Sequence, residues 1–481
     1  MVQVTRVDFD GKVRLYRLHD LFREIILQKM KGLSFVHVLS KQESNFEGLT
    51  HCMAANRVSY SVLKLFKGTH FFHFYCSILM NCQSHLCMVF FANFKLLKVM
   101  DFEDAPLDFI PEDVGSLFHL RYLSLRNTKV KLLPKSIGKF QNLETLDLKQ
   151  SHVYEIPVEI NNLRKLRHFI AYNRDFKIDF SLTQEKGVKL QKSIGCLKDL
   201  QKLYHVEANH EGAIDLITEL ESLRQLRKLG MKNLTRETGM ALCASIEKMN
   251  HLESLDVASI TKDKILDLQS ISSPPQFLQR LYIQGRLDQL PNWIPKLQHL
   301  SRLLICWSRL SDDPMKAFQN LPNLMELRIF NQAYNGEQLQ FEIGGFPKLR
   351  LLWLRHLDKL NSLIINEGAL PLLEKLLIGP SPHLKEVPSG IKHVTSLKSI
   401  EFWDMPKDFE ESLDPEQGSC HWIIEHVPIV YLCHMVKGYY DFDTRILHSK
   451  HLERSRGLTI NHIDNHKDNN SNNINASVEQ G

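Results

Sequence analysis

The pattern L-x-x-L-x-L, with other apolar residues allowed at its fixed positions, recurs thirteen times in this chain. It starts at Leu97, Leu120, Leu143 and Leu166, each 23 residues after the last, and resumes after a gap of 34 at Leu200. Further units begin at Leu226, Leu252 and Leu278, spaced 26, and at Leu300, Leu324, Leu349, Leu373 and Leu397, spaced 22 to 25. Such a recurrence decides the architecture before any single motif does, because one unit is too short to bury its apolar side alone. Within a unit the first Leu, the residue three further on and the one two beyond that point inward. A short strand alternates its faces, so Leu123 and Leu125 are expected in the core and Ser124 between them in solvent.

A second signal recurs between the strands, in "FIPEDVGSLFHL", "LLPKSIGKFQNL", "EIPVEINNLRKL", "QLPNWIPKLQHL" and "EVPSGIKHVTSL". Pro sets the chain entering a short helical turn, and the apolar residues after it tuck that turn against the core. Period and pattern resemble those of leucine-rich repeats. The expected fold is α/β, a solenoid whose strands form one curved parallel sheet over residues 96–410. The stretch "AYNRDFKIDFSLTQEKGVKLQKSIGCLKDL", which fills the long gap, reads as an inserted loop.

Composition narrows the class. Apolar content of 43% and charge of 24% are those of a soluble globular chain. The net charge of +5 is small for 481 residues, and Lys and Arg are spread along the chain, which gives no reason to expect nucleic acid. Nine cysteines without a disulfide-like framework fit a reducing compartment, and the N-terminus has no apolar core of a secretory signal, so a cytoplasmic location is expected. The stretch Phe71 to Phe91 is the most membrane-like, but "NCQSH" interrupts it and His73 and His85 lie within it. Neither half approaches the ~20 residues of a spanning helix, so no stable membrane insertion is expected. Residues 455–481 are Asn-rich and almost without aromatics, the composition of a disordered tail.

Catalytic signatures are missing. No G-x-x-x-x-G-K-[ST] loop, G-x-S-x-G or H-E-x-x-H occurs, and none of the nine cysteines is marked out as a nucleophile. His70, His73, Cys76, Cys82, His85 and Cys87 form a loose group, but their gaps do not reproduce paired zinc knuckles. No metal and no enzyme activity are expected. What remains is a binding surface. Early positions beside the inward leucines, Arg121, Tyr122 and Arg126, with Lys129 and Lys131 after them, suggest a basic stripe. Later ones are Tyr282, Arg328, Phe330, Trp353, Arg355 and Trp403, and Trp, Tyr and Arg are the residue types that concentrate binding energy at interfaces.

Near the start, "KVRLYR" alternates like a strand, Leu18, Leu21, Phe22, Ile25 and Ile26 follow at helical spacing, and "SFVHVL" reads as another strand. The stretch "RLHDLFREII", with Leu18, His19 and Asp20, resembles the Met-His-Asp motif that closes the winged-helix subdomain of plant coiled-coil, nucleotide-binding, leucine-rich-repeat immune receptors, with Leu in place of Met. The run "FKLLKVMDFEDAPLDFIPEDVGSLFHLRYLSLRNTKVKLLPKSIGKFQNLETLDL" is similar to the first repeats of that family, and "LKEVPSGIKHVTSLKSIEFWDMPKDF" with "EHVPIVY" to its C-terminal end. The resemblance implies that His19 descends from a residue that senses bound ADP, supported by Asp20. Without a phosphate-binding loop the motif is expected to be idle here, with ADP or ATP relevant only to a longer form that carries that domain.

The resemblance divides the chain into the end of a winged-helix region (1–45), a linker or divergent first repeat (46–95), the repeats (96–410), a C-terminal cap (411–454) and the tail. It implies a role in plant defence through protein binding, the partner being a pathogen effector, a guarded host protein or the receptor's own nucleotide-binding switch module. A substrate-recognition subunit of a ubiquitin ligase uses such repeats too, but an F-box-like helical segment is not evident near the N-terminus.

Overall fold

The computed structural model describes residues 97–174, 185–436 and 442–449, together with the backbone of four short strands nearer the N-terminus. Its main element is a fifteen-stranded sheet. Thirteen of the strands begin two residues after the first Leu of each repeat unit, from Val99–Asp101 through Ser399–Trp403, and each pairs in parallel with the next. The sequence period therefore becomes a spatial ladder, in which equivalent residues of successive units stand side by side. The first Leu of every unit is buried, at most 3% exposed, which closes the core that no single unit could form.

The chain leaves most strands at one place. Asp104, Asn127, Gln150, Asn233, Trp307, Asn331, His356 and Asp404 all take positive φ, and each lies seven residues after the first Leu of its unit. Left-handed backbone turns the chain out of the sheet there, a position that, glycine apart, Asn and Asp fill at least cost. After Pro111, Pro134, Pro157 and Pro388 come the expected turns, single 3-10 helices at Glu112–Ser116, Lys135–Lys139, Val158–Asn162 and Ser389–His393. Two of the 26-residue units have room for α-helices instead, Ala213–Glu219 and Arg236–Ile246.

Ser124 departs from its expected exposure. It is 1% exposed, because a small side chain on a crowded sheet face is covered by its larger neighbours, Tyr122 among them. Part of the inserted segment rejoins the body: Val188 bridges to Val206, Lys189 to Glu155, and Val188 and Leu190 are buried. The span expected to cap the array adds a fourteenth parallel strand, Ile429–Met435, and an antiparallel edge strand, Phe442–Ser449.

Toward the N-terminus, Val2–Val7 pairs antiparallel with Val13–Leu18, and Val36–Leu39 pairs parallel with Cys52–Ala55. Leu18 thus ends the strand read in "KVRLYR". His19, Asp20, the helix read after them, the His and Cys group around residues 70–87, the membrane-like stretch and the tail lie outside the described residues. Among the described residues no helix is long and apolar enough to cross a membrane.

Candidate functional site

The face of the sheet away from the core is the concave side of such a solenoid, and it is built in columns. Side chains two, four and six residues after a first Leu point to it, because strand residues alternate and the register carries each position across to the next strand. In the unit of Leu200 a register shift instead puts His205 on this face and Val206 in the core. Tyr122 and Arg126 fall in these columns, as do Tyr282, Arg328, Phe330, Trp353, Arg355 and Trp403. The sheet thus brings the later aromatic and Arg positions together.

Their exposure differs from expectation. Phe330, Trp353 and Arg355 are 2%, 3% and 4% exposed, so they are packed within the face and are not open contacts. Phe330 and Trp353 meet edge to face at 4.6 Å, and with Ala258, Cys306, Trp307, Leu351 and Leu377 they form a second apolar cluster, separate from the main core. The Arg355 guanidinium lies 5.8 Å from the Trp353 ring and 5.9 Å from that of Trp403. Arg328 sits 5.6 Å over Trp353 and pairs with Glu326. Trp403 and Tyr282 remain half-buried, and burial pushes the Tyr282 hydroxyl up to about 12, so it stays a donor at any physiological pH.

The early basic stripe is compensated. Arg121 lies 3.3 Å from Glu144 and Arg126 lies 3.0 Å from Glu103, each carboxylate coming from a neighbouring unit. Lys131 is exposed and stands beyond the strand. Arg121 and Arg126 thus each have a carboxylate beside them.

A different set of cations does gather. Reading the column two residues after the first Leu gives Lys202, Lys228, Ser254, Arg280 and Arg302 on five successive strands. Aligning the units on their first Leu and reading that column down would have shown it in the sequence. Beside it, Asp256 is buried, its carboxylate receiving Tyr204 Oη at 3.1 Å and facing His205 Nε2 at 3.2 Å and Lys232 Nζ at 3.3 Å. Gly230 next to this cluster is required by close approach: a Cβ there would stand 2.7 Å from the His205 ring. Nothing in the described residues groups three or more metal-ligating side chains.

Ladder, turns and outer face define a leucine-rich-repeat solenoid. The chain belongs to the leucine-rich repeat region family, whose model matches residues 76–413. Its sequence is similar to Disease resistance protein RPP8 of Arabidopsis thaliana, 27% identical over 345 residues that cover 71% of this chain and 36% of that protein. Similarity to Disease resistance protein RPM1 of the same plant is 28% over 439 residues, covering 89% of this chain and 46% of that protein. The chain thus spans less than half the length of either relative. Among solved structures, a leucine-rich-repeat protein of Leptospira interrogans, LIC12759, is 20% identical with a TM-score of 0.46, covering 77% of this chain and 91% of that one.

Proposed function

We propose that this chain is the recognition part of a plant disease resistance protein and acts in defence by binding a protein on the outer face of its sheet. The observation that carries the reading is the likeness to disease resistance proteins across as much as 89% of the chain, through the repeats that build this face. Solenoids of this kind bind along their concave surface, and this one combines half-buried Tyr282 and Trp403 with a localised run of cations. The partner is a pathogen effector, a guarded host protein or the switch module of a longer form. Chemistry is not part of the role: the chain recognises, in the cytoplasm, and any nucleotide belongs to a separate module.

The test is genetic. Disrupting the gene in its plant is expected to raise the growth of at least one pathogen isolate in a panel, and a wild-type copy to restore restriction. A copy carrying Lys202→Glu, Lys228→Glu and Arg280→Glu is expected to accumulate normally and fail to restore it. Unchanged growth of every isolate after disruption counts against the reading.

A further inference from the structure

Lys202, Lys228, Arg280 and Arg302 stand in single file, interrupted only by Ser254. Lys202 faces Lys228 directly across one strand pair, and Arg280 faces Arg302 across another. Like charges opposed on adjacent strands destabilise a sheet, so folding alone gives no reason to collect them. The fold also leaves part of this charge unmatched. Arg302 is tied to Glu326 at 3.3 Å and the Lys202 ammonium lies 5.7 Å from the Tyr204 ring, but among the described residues neither Lys202 nor Arg280 has an ion-pair partner. Asp256, the acid nearest the middle of the face, is occupied by Lys232, His205 and Tyr204.

The row has ends. In the same column the preceding positions, Tyr122, Thr145 and His168, carry no fixed charge, and Glu326 follows Arg302. Five strands at about 4.8 Å spacing make it about 19 Å long, the length of roughly six extended residues. The adjoining column carries Tyr204, Gly230, Asp256, Tyr282 and Leu304, and because Lys232 already neutralises Asp256 the line of cations otherwise has an apolar and hydroxyl-bearing bank. A single file of four cations beside such a bank suits an extended polypeptide better than a nucleic acid, whose backbone calls for a broad basic surface.

We infer that this row is the docking line for an acidic, extended polypeptide segment of about six residues that crosses the strands, its carboxylates on Lys202, Lys228 and Arg280. This rests on the reading of the outer face as a protein-binding surface and names the chemistry of the partner. Half-buried cations attract a carboxylate more strongly than fully solvated ones, and removing them raises the dissociation rate.

The experiment uses the full 481-residue chain and a fluorescein-labelled peptide of six glutamates, followed by anisotropy at low and high salt. Binding is expected to weaken with salt, and a six-glutamine peptide is expected to bind at least about tenfold more weakly. Lys202→Glu with Arg280→Glu should lower affinity for the acidic peptide by about tenfold or more. Lys296→Glu with Lys316→Glu, the same charge change on exposed helical turns, should leave it unaltered. The neutral pair Lys202→Met with Arg280→Met, checked by circular dichroism, separates lost charge from misfolding and should lose affinity while keeping the native spectrum. Equal binding of the two peptides, full affinity in the row variants, or binding of inorganic polyphosphate without the peptide would each overturn the inference. Row-dependent binding of the acidic peptide, with pathogen growth unchanged after gene disruption, would sink the proposed defence role and leave this inference standing. Resistance lost in the row variant without any acidic-peptide binding would do the reverse.

Discussion

The Lys232 ammonium lies 3.3 Å from the Asp256 carboxylate, and both residues are buried on the outer face of the sheet, at 2% and 5% exposure. Burial works against ionisation of Asp256, but Lys232 and His205 together outweigh it and hold the carboxyl well below its usual range. Removing one member of such a pair leaves a buried charge without its counter-charge. Asp256→Asn and Lys232→Met are each expected to cost about 3–5 kcal/mol in urea unfolding. The double variant Asp256→Leu with Lys232→Met should lose much less than the two losses added, and additive losses would show that the pair does not act as a unit.

Acid should weaken the joints between repeats. The Glu112 carboxylate accepts Ser136 N–H at 2.8 Å and Lys135 N–H at 3.1 Å, at the start of the next unit's turn. Glu247 accepts Ser272 N–H at 2.6 Å and Ser273 N–H at 2.9 Å in the same manner. Those backbone donors, Ser136 foremost for Glu112 and Ser273 for Glu247, lower both carboxyls below their ordinary value of 4.5. A carboxyl that is depressed in the folded state stabilises the fold above its unfolded value, and that contribution is lost as pH falls through the folded one. Thermal stability is therefore expected to drop below about pH 4.5, less steeply in Glu112→Gln and Glu247→Gln. At pH 7 each variant should cost about 0.5–1 kcal/mol, as caps of helical turns do.

The ladder was legible in the sequence because burial enforces it. Every first Leu must enter the core, and a one-residue slip would expose the whole set. The strand Ile429–Met435 escaped because Val427, Val430 and Leu432 stand in for the leucines, 30 residues beyond Leu397, with the helix Lys407–Ser412 between. The left-handed exits were less legible, since Asn and Asp share that position with Gln150, Trp307 and His356. Columns of the outer face follow from the repeat, but exposure within a column depends on lateral neighbours in other units. Ser124 is hidden beside Tyr122, and Trp353 beside Phe330, although strand alternation alone would leave both in solvent.

Trp353 and Trp403 belong to one face but should answer differently to truncation. Trp353 is 3% exposed and packs its ring against Phe330 and Arg355. Trp353→Ala is expected to cost about 3–5 kcal/mol, the penalty of a buried aromatic cavity. Trp403 is half-buried, its indole N–H donating to Glu401 at 3.1 Å and its ring 5.2 Å from Phe442. Trp403→Ala should cost under about 2 kcal/mol, and any loss of partner binding it causes would then report contact. Denaturant unfolding of both variants beside wild type measures the difference; equal losses would place Trp403 in the packed cluster.

Lys202 sets stability against recognition. Burial, and then the charge of Lys228 across the strand pair, push its ammonium down to about 8. The sign here is opposite to that of the carboxylates. Below about pH 8 the folded protein carries a charge that the unfolded chain holds more easily, so the group costs stability at neutral pH. Between about 8 and its ordinary value of 10.5 the unfolded state binds more protons, so this contribution to stability rises with pH. Lys202→Met should therefore stabilise the fold at pH 7, by about 1–2 kcal/mol once solvent screening is allowed for. That advantage should shrink as pH is raised toward 10, measured as the difference in unfolding free energy between variant and wild type at each pH. The same variant should bind an acidic peptide less well at pH 7, and wild-type affinity should fall across pH 8 as Lys202 loses its charge. Wild-type stability equal to that of Lys202→Met at pH 7 would show that the row carries no strain for a partner to relieve.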